Sequence, residues 1–189
     1  MLKSKLERRG KASGFSLLEL MIVVAVMMVV AAIAVPSAMR VMRSYQGSAN
    51  ARNIASELAL AKMDAARNFT QTQLNCTLSA NSCQLQMCTT KGTSTCTTFS
   101  AEGGPLLLSQ GVTFSYGSIG TAAGTQTTIQ NSTPIMFNSR GTPVDSTGAA
   151  TGSYALYVAN QSGDTYAVTV YATGKIGVWR YSNSTWVAI

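Results

Sequence analysis

From Phe15 to Val35 the chain carries no charge except Glu19, and a basic segment ending in Gly14 comes directly before it. A helix of that length spans about 31 Å, close to the thickness of a bilayer's hydrocarbon core. A lone carboxylate in such a stretch costs roughly 2.5 kcal/mol or more on insertion scales, so Glu19 requires a partner. A secretory signal places its small cleavage residue after the apolar run. Here the small residue, Gly14, precedes the run. A cut between Gly14 and Phe15 would remove the charges and keep the anchor. One membrane-spanning helix is therefore expected, with residues 1–14 as a leader held on the cytoplasmic side by its charge.

That placement also accounts for the chain's formal net charge of +7. Lys3, Lys5, Arg8, Arg9 and Lys11 against Glu7 supply more than half of it. The surplus is chiefly a topology signal, not the mark of a nucleic-acid binder. The sequence has no histidine, the usual imidazole base and metal ligand. Beyond the helical region the acids are Glu102, Asp145 and Asp164, scattered among turn residues. Gly103, Gly104, Gly120 and Gly124 lack the downstream lysine of a phosphate loop. The chain is expected to have no catalytic residues, no cofactor and no metal, and not to be an enzyme.

Helical periodicity continues past the apolar run. Pro36 removes one backbone donor and predicts a bend in the rod. Ile54, Leu58, Ala61, Ala65 and Phe69 then recur every three or four residues, while Arg52, Glu57, Lys62 and Arg67 fall elsewhere. This is the apolar stripe of an amphipathic helix. One helix is expected from about Phe15 to about Phe69, roughly 80 Å long. Such a length suits a rod whose first half packs on neighbouring subunits and whose second half packs on its own domain.

Composition changes after Phe69. Residues 70–101 are dominated by Thr, Ser, Asn, Gln and Gly, and they hold all four cysteines: Cys76, Cys83, Cys88 and Cys96. An even count in an exported domain predicts disulfides stapling a polar loop, within which one or two hairpins could form. Zinc is the competing arrangement, but the close Cys-x-x-Cys pairs usual in structural sites are missing. Three pairings are open, and nesting Cys83–Cys88 inside Cys76–Cys96 is preferred among them.

Residues 102–189 read as antiparallel sheet. Strand candidates are Leu106–Leu108, Val112–Tyr116, Thr127–Gln130 and Pro134–Phe137. Tyr154, Leu156 and Val158 share one face of a further strand, as do Tyr166, Val168 and Val170 of the next. Gln161-Ser162-Gly163-Asp164 supplies the turn between them, and Thr173-Gly174 supplies the one after. Ile176, Val178 and Arg180 then share a face of a last long strand, with Trp179 and Tyr181 opposite. Trp186 and Val187 close the chain. The expected fold class is α+β, with a long N-terminal helix packed on an antiparallel sheet.

Gly14-Phe15 followed by Ser16, Leu17, Leu18 and Glu19 resembles the processing site of type IV pilins and pseudopilins. The resemblance implies cleavage between Gly14 and Phe15 by a membrane-embedded prepilin peptidase, which is also the N-methyltransferase acting on Phe15. It further implies that Glu19 meets the freed N-terminal ammonium, often of an adjacent subunit, during assembly. Pro36 resembles the proline after the apolar run in many pilins, where the helix bends. Residues 15–35 would then be both bilayer anchor and filament core, and residues 36–69 the amphipathic continuation into a periplasmic domain.

Three further segments resemble the GspH/FimT group of minor pseudopilins and pilins. They are the helix over Ser48–Arg67, the run Ile135-Met136-Phe137-Asn138-Ser139-Arg140-Gly141, and Val168 through Ile176. The group implies a structural subunit of a type II secretion pseudopilus or a type IV pilus. Its partners would be other pilins or pseudopilins and an inner-membrane assembly platform. The implied location is the bacterial inner membrane, single-pass with the C-terminal domain in the periplasm, and after processing the filament. DNA-contacting members of the group resemble one another in a Gly-Arg-x-Arg element. Here the matching turn is Gly174-Lys175-Ile176-Gly177, so only the first basic position is kept, and Arg180 lies three residues beyond. DNA uptake, with Lys175 and Arg180 as contacts, is the alternative function and is not favoured.

Overall fold

A computed structural model describes residues 16–90 and 95–189. Gly14, Phe15 and the rest of the leader lie outside the described residues. By its contacts the chain divides into a unit ending at Met39 and a unit from Arg40 to Ile189.

Helix α1 runs over Leu17–Asn68, through Pro36. In the first unit its described residues are exposed all round. In the second unit the helix becomes one-sided. Gly47, Asn50, Ala51, Ile54, Leu58, Ala61 and Ala65 are buried, at spacings that keep one stripe turned inward. The expected stripe holds except at its end. Phe69 is 76% exposed, takes φ 51°, and lies just past the helix. Thr70 N–H returns to Ala65 O at 3.2 Å, closing the last turn around this left-handed residue. Chain reversal, not periodicity, decides where Phe69 points.

Two sheets receive that stripe. The first contains β1 (Thr72–Thr77), β2 (Ser82–Cys88), β3 (Phe99–Ala101), β4 (Leu106–Leu107), β6 (Ile135–Phe137) and β7 (Pro143–Val144). Its order is β3-β2-β1-β6-β7, with β4 also on β2. The second contains β5 (Val112–Thr113), β8 (Tyr154–Asn160), β9 (Thr165–Val170), β10 (Ile176–Ser182) and β11 (Thr185–Ala188), in the order β11-β10-β9-β8-β5. All pairings are antiparallel. Ile54, Leu58, Ala61 and Ala65 meet Leu74, Leu85, Ile135 and Phe137 of the first sheet and Leu156, Val158, Val168 and Val170 of the second in one core. The amphipathic half of the helix is thus the shared wall of both sheets.

The segment expected as a polar loop supplies the centre of the first sheet. In β1, Leu74 and Cys76 are buried while Asn75 and Thr77 are exposed. In β2, Cys83 and Leu85 are buried between less buried neighbours. This period-two alternation lies under a polar composition. The cysteine pairing is corrected by the same geometry. The bonds are Cys76–Cys83 and Cys88–Cys96, not the nested pair. The β1–β2 register sets Cys76 directly opposite Cys83. The Cys76 N–H donates to Thr133 Oγ1, and that hydroxyl donates back to Cys76 O, so the pair is not hydrogen-bonded across the ladder. Such pairs bring side chains closest, and the Cα atoms are 4.0 Å apart.

Thr127–Gln130, expected as a strand, is irregular chain. It belongs to a long loop over the outer face of the second sheet, where Ala123, Ala155, Tyr157 and Ala167 form a smaller core with Ile119, Ile129, Trp179 and Trp186 against it. Aromatic tips hold the loop in place. Ala123 N–H donates to Tyr157 Oη, Asn131 N–H to Tyr116 Oη and Gly120 N–H to Tyr181 Oη, while Trp186 Nε1–H donates to Thr121 O. Backbone groups that a strand would bond to a neighbour are satisfied here by side chains.

Candidate functional site

The helix start is the first candidate site. Ser16 precedes α1, and its Oγ accepts the Glu19 N–H at 3.1 Å. Ser16-Leu17-Leu18-Glu19 therefore has the spacing of a capping box, with Ser16 at the N-cap and Glu19 at the third helical position. A carboxylate there also faces the positive end of the helix dipole. This capping role is legible in the Ser-x-x-Glu pattern. Glu19 is exposed, among Leu17, Leu18, Leu20 and Met21, which are each more than half exposed. It is a solitary acid on an exposed apolar stretch of helix.

Pro36 lies inside the continuous helix. Among the described residues, α1 is the single helix long and apolar enough to cross a membrane.

The C-terminal turn is the second candidate. Gly174, at φ 75°, sits in the β9–β10 turn, where Gly174 N–H donates to Tyr171 O and Tyr171 N–H to Lys175 O. A Cβ on Gly174 would lie 2.2 Å from Gly141 O, so the turn packs backbone to backbone on the β6–β7 turn. Lys62 Nζ donates to Gly174 O at 3.0 Å, and its aliphatic stem lies under Gly141. The two glycine turns quoted above are therefore one joint, tying a turn of each sheet to the helix. Neither turn by itself disclosed this.

The joint leaves Lys175 exposed at one end of β10. Arg180 lies five residues on, about 17 Å along an extended strand. It is on the face shared with Ile176 and Val178 and pairs with Asp164, Nη2 to Oδ1 at 3.3 Å. The two cations are not brought together.

A third cluster fixes the helix to the second sheet near Arg43 and Ser44, and sequence reasoning missed it. Tyr166 Oη donates to Ser44 O at 2.9 Å and also contacts Ser44 Oγ at 3.1 Å. Asn160 Nδ2 donates to Arg43 O and to Asp164 Oδ2, while Asn160 Oδ1 accepts the N–H groups of Ser162 and Asp164. Asn50 Oδ1 accepts Ser109 N–H, and Asn50 Nδ2 donates to Gln46 O. Buried side-chain amides thus fix the helix against the β-domain.

Together these features define an α+β domain and a helix with a capped, acid-bearing apolar start. Residues 9–35 match the family model described as the prokaryotic N-terminal methylation motif. No curated protein matches the chain. Among solved structures, the chain is similar to the minor pseudopilin EpsH from the Type 2 Secretion System of Vibrio cholerae, at 10% identity and a TM-score of 0.48, covering 76% of this chain and 97% of that one. It is likewise similar to a crystal structure of that pseudopilin, at 11% identity and a TM-score of 0.48, covering 70% of this chain and 92% of that one.

Proposed function

We propose that the chain is a minor pseudopilin or pilin, a structural subunit of a type II secretion pseudopilus or a type IV pilus, acting in filament assembly and protein secretion. The observation that carries this is the methylation motif over residues 9–35, set on a helix that begins at a Ser16 cap and bears Glu19 in its first turn. Cleavage after Gly14 would place a free ammonium on Phe15, within about one helical turn of Glu19. A carboxylate in hydrocarbon is stabilised by such a cation, whether from its own chain or from the next subunit. The exposed rod needs a cover, which bilayer lipid supplies before assembly and neighbouring rods supply afterwards. The subunit would be anchored in the inner membrane with its β-domain in the periplasm. Its partners would be the prepilin peptidase, the assembly platform and other pilins or pseudopilins.

Mass spectrometry of the membrane-extracted protein tests the processing. The expected species begins at Phe15, is one methyl group heavier than the bare chain, and contains two disulfides. A species retaining residues 1–14 would overturn the processing.

A further inference from the structure

Beside the polar tie between helix and second sheet is an open groove of about 540 Å³, lined by Arg40, Arg43 and Ser44 of α1 and by Ser162, Asp164 and Arg180. Three arginines and one carboxylate line it, with the apolar Val41 beside them. Asp164 is already engaged, by Arg180 through Oδ1 and by Asn160 through Oδ2. Arg40 and Arg43 make no ion pair among the described residues. Arg40 is exposed and Arg43 half-buried, with its carbonyl held by Asn160. The groove therefore carries a surplus of positive charge on a fixed frame.

Its place along the rod selects the counter-charge. Arg40 follows Val35 by five residues and Arg43 by eight, about 7.5 and 12 Å further along a helix. The polar headgroup layer is about 5–7 Å deep on each side of the hydrocarbon, and arginine side chains reach back toward it along their aliphatic stems. Arginine forks match phosphate oxygens two at a time. We infer that this groove binds the phosphate of an anionic phospholipid headgroup, seating the β-domain on the outer leaflet. The inference rests on Phe15–Val35 being the membrane span. It adds a lipid site that the filament role does not require.

The test uses the full chain in nanodiscs of equal phosphatidylglycerol and phosphatidylcholine, with the lipids retained on release counted by native mass spectrometry. Incorporation into the disc reports the span, and the ratio of the two retained lipids reports the groove. Each arginine near an anionic surface is worth about fivefold. The wild-type chain should thus favour phosphatidylglycerol at least about fivefold, and R40Q/R43Q should bring the ratio close to one. Among the described residues neither arginine side chain makes an ion pair or a hydrogen bond, so the melting temperature should stay unchanged. D164N, which removes the opposing charge, should raise the ratio.

A chain that enters discs without phosphatidylglycerol preference overturns the groove and leaves the span intact. A preference unaffected by R40Q/R43Q also overturns it. If the wild type shows no lipid preference but millimolar inorganic phosphate raises its melting temperature, and R40Q/R43Q loses that rise, the site is for a free anion and the lipid assignment is overturned. If R40Q/R43Q instead abolishes cross-linking to a second copy with no lipid preference in the wild type, the groove is a subunit contact. Failure to enter discs overturns the span and the lipid site with it.

Discussion

Gly47 is the residue whose presence most needs its surroundings to explain it. Glycine inside a helix costs about 1 kcal/mol relative to alanine. A Cβ at Gly47 would lie 2.4 Å from Tyr166 Cε2, so the ring occupies the space a side chain would fill. The same ring carries the hydroxyl bonded to Ser44. Gly47→Ala should therefore destabilise the domain by about 1–3 kcal/mol despite its better helix propensity, because the ring must move. Chemical denaturation of the detergent-solubilised chain reads this directly, and a stabilised variant would contradict the packing. Phe69 is the opposite case, an exposed aromatic in a left-handed conformation that glycine adopts freely. Phe69→Gly should raise stability by up to about 1 kcal/mol in the same measurement.

Among the elements, the long helix was legible because its signal is a single period repeated over many turns, and Leu17–Asn68 lies close to the expected span. Strands β8, β9 and β10 were legible from runs of aromatic and β-branched residues six or seven long, bounded by turn residues. What could not be read were features decided by a distant partner. Cys76 opposite Cys83 depends on a strand register, and the loop over Tyr157 depends on aromatic tips from three strands and a loop residue. Closing loops this short stabilises by about 2–3 kcal/mol per disulfide in the chain-entropy model. Cys76→Ser/Cys83→Ser should lower the denaturation free energy by that amount, and a null effect would show that the hairpin holds without its bond.

The loop over Tyr157 is expected to respond to pH. Burial pushes the Tyr157 phenol above its ordinary value of 10.0, Tyr116 adds to the shift, and the Ala123 N–H opposes it. A raised folded-state value means the contribution is fully present below pH 10 and is lost as pH rises through the shifted value. Absorbance at the phenolate band should show one tyrosine titrating late, accompanied by release of the loop. Tyr157→Phe should abolish that late step and leave the Ala123 N–H unpaired, at about 1–3 kcal/mol.

At the scale of the whole molecule, two halves of one helix have opposite surroundings. The half beyond Arg40 is satisfied by its own sheets, while the large apolar side chains from Leu17 to Val35 are exposed. The C-terminal turn, with the other resemblances to the GspH/FimT group, turns out to be part of a structural joint, and its cations are held apart. The N-terminal signature was the more specific, and it is the one that the methylation-motif match meets. The proposed stacking of subunits through the bare rod, with Glu19 neutralised by a terminal amine, is tested most directly by the fraction of the protein recovered in sheared filaments from cells expressing wild type or Glu19→Gln. Loss of most of that fraction, with membrane insertion and processing after Gly14 retained, is the predicted result. Incorporation of Glu19→Gln at the wild-type level would contradict it.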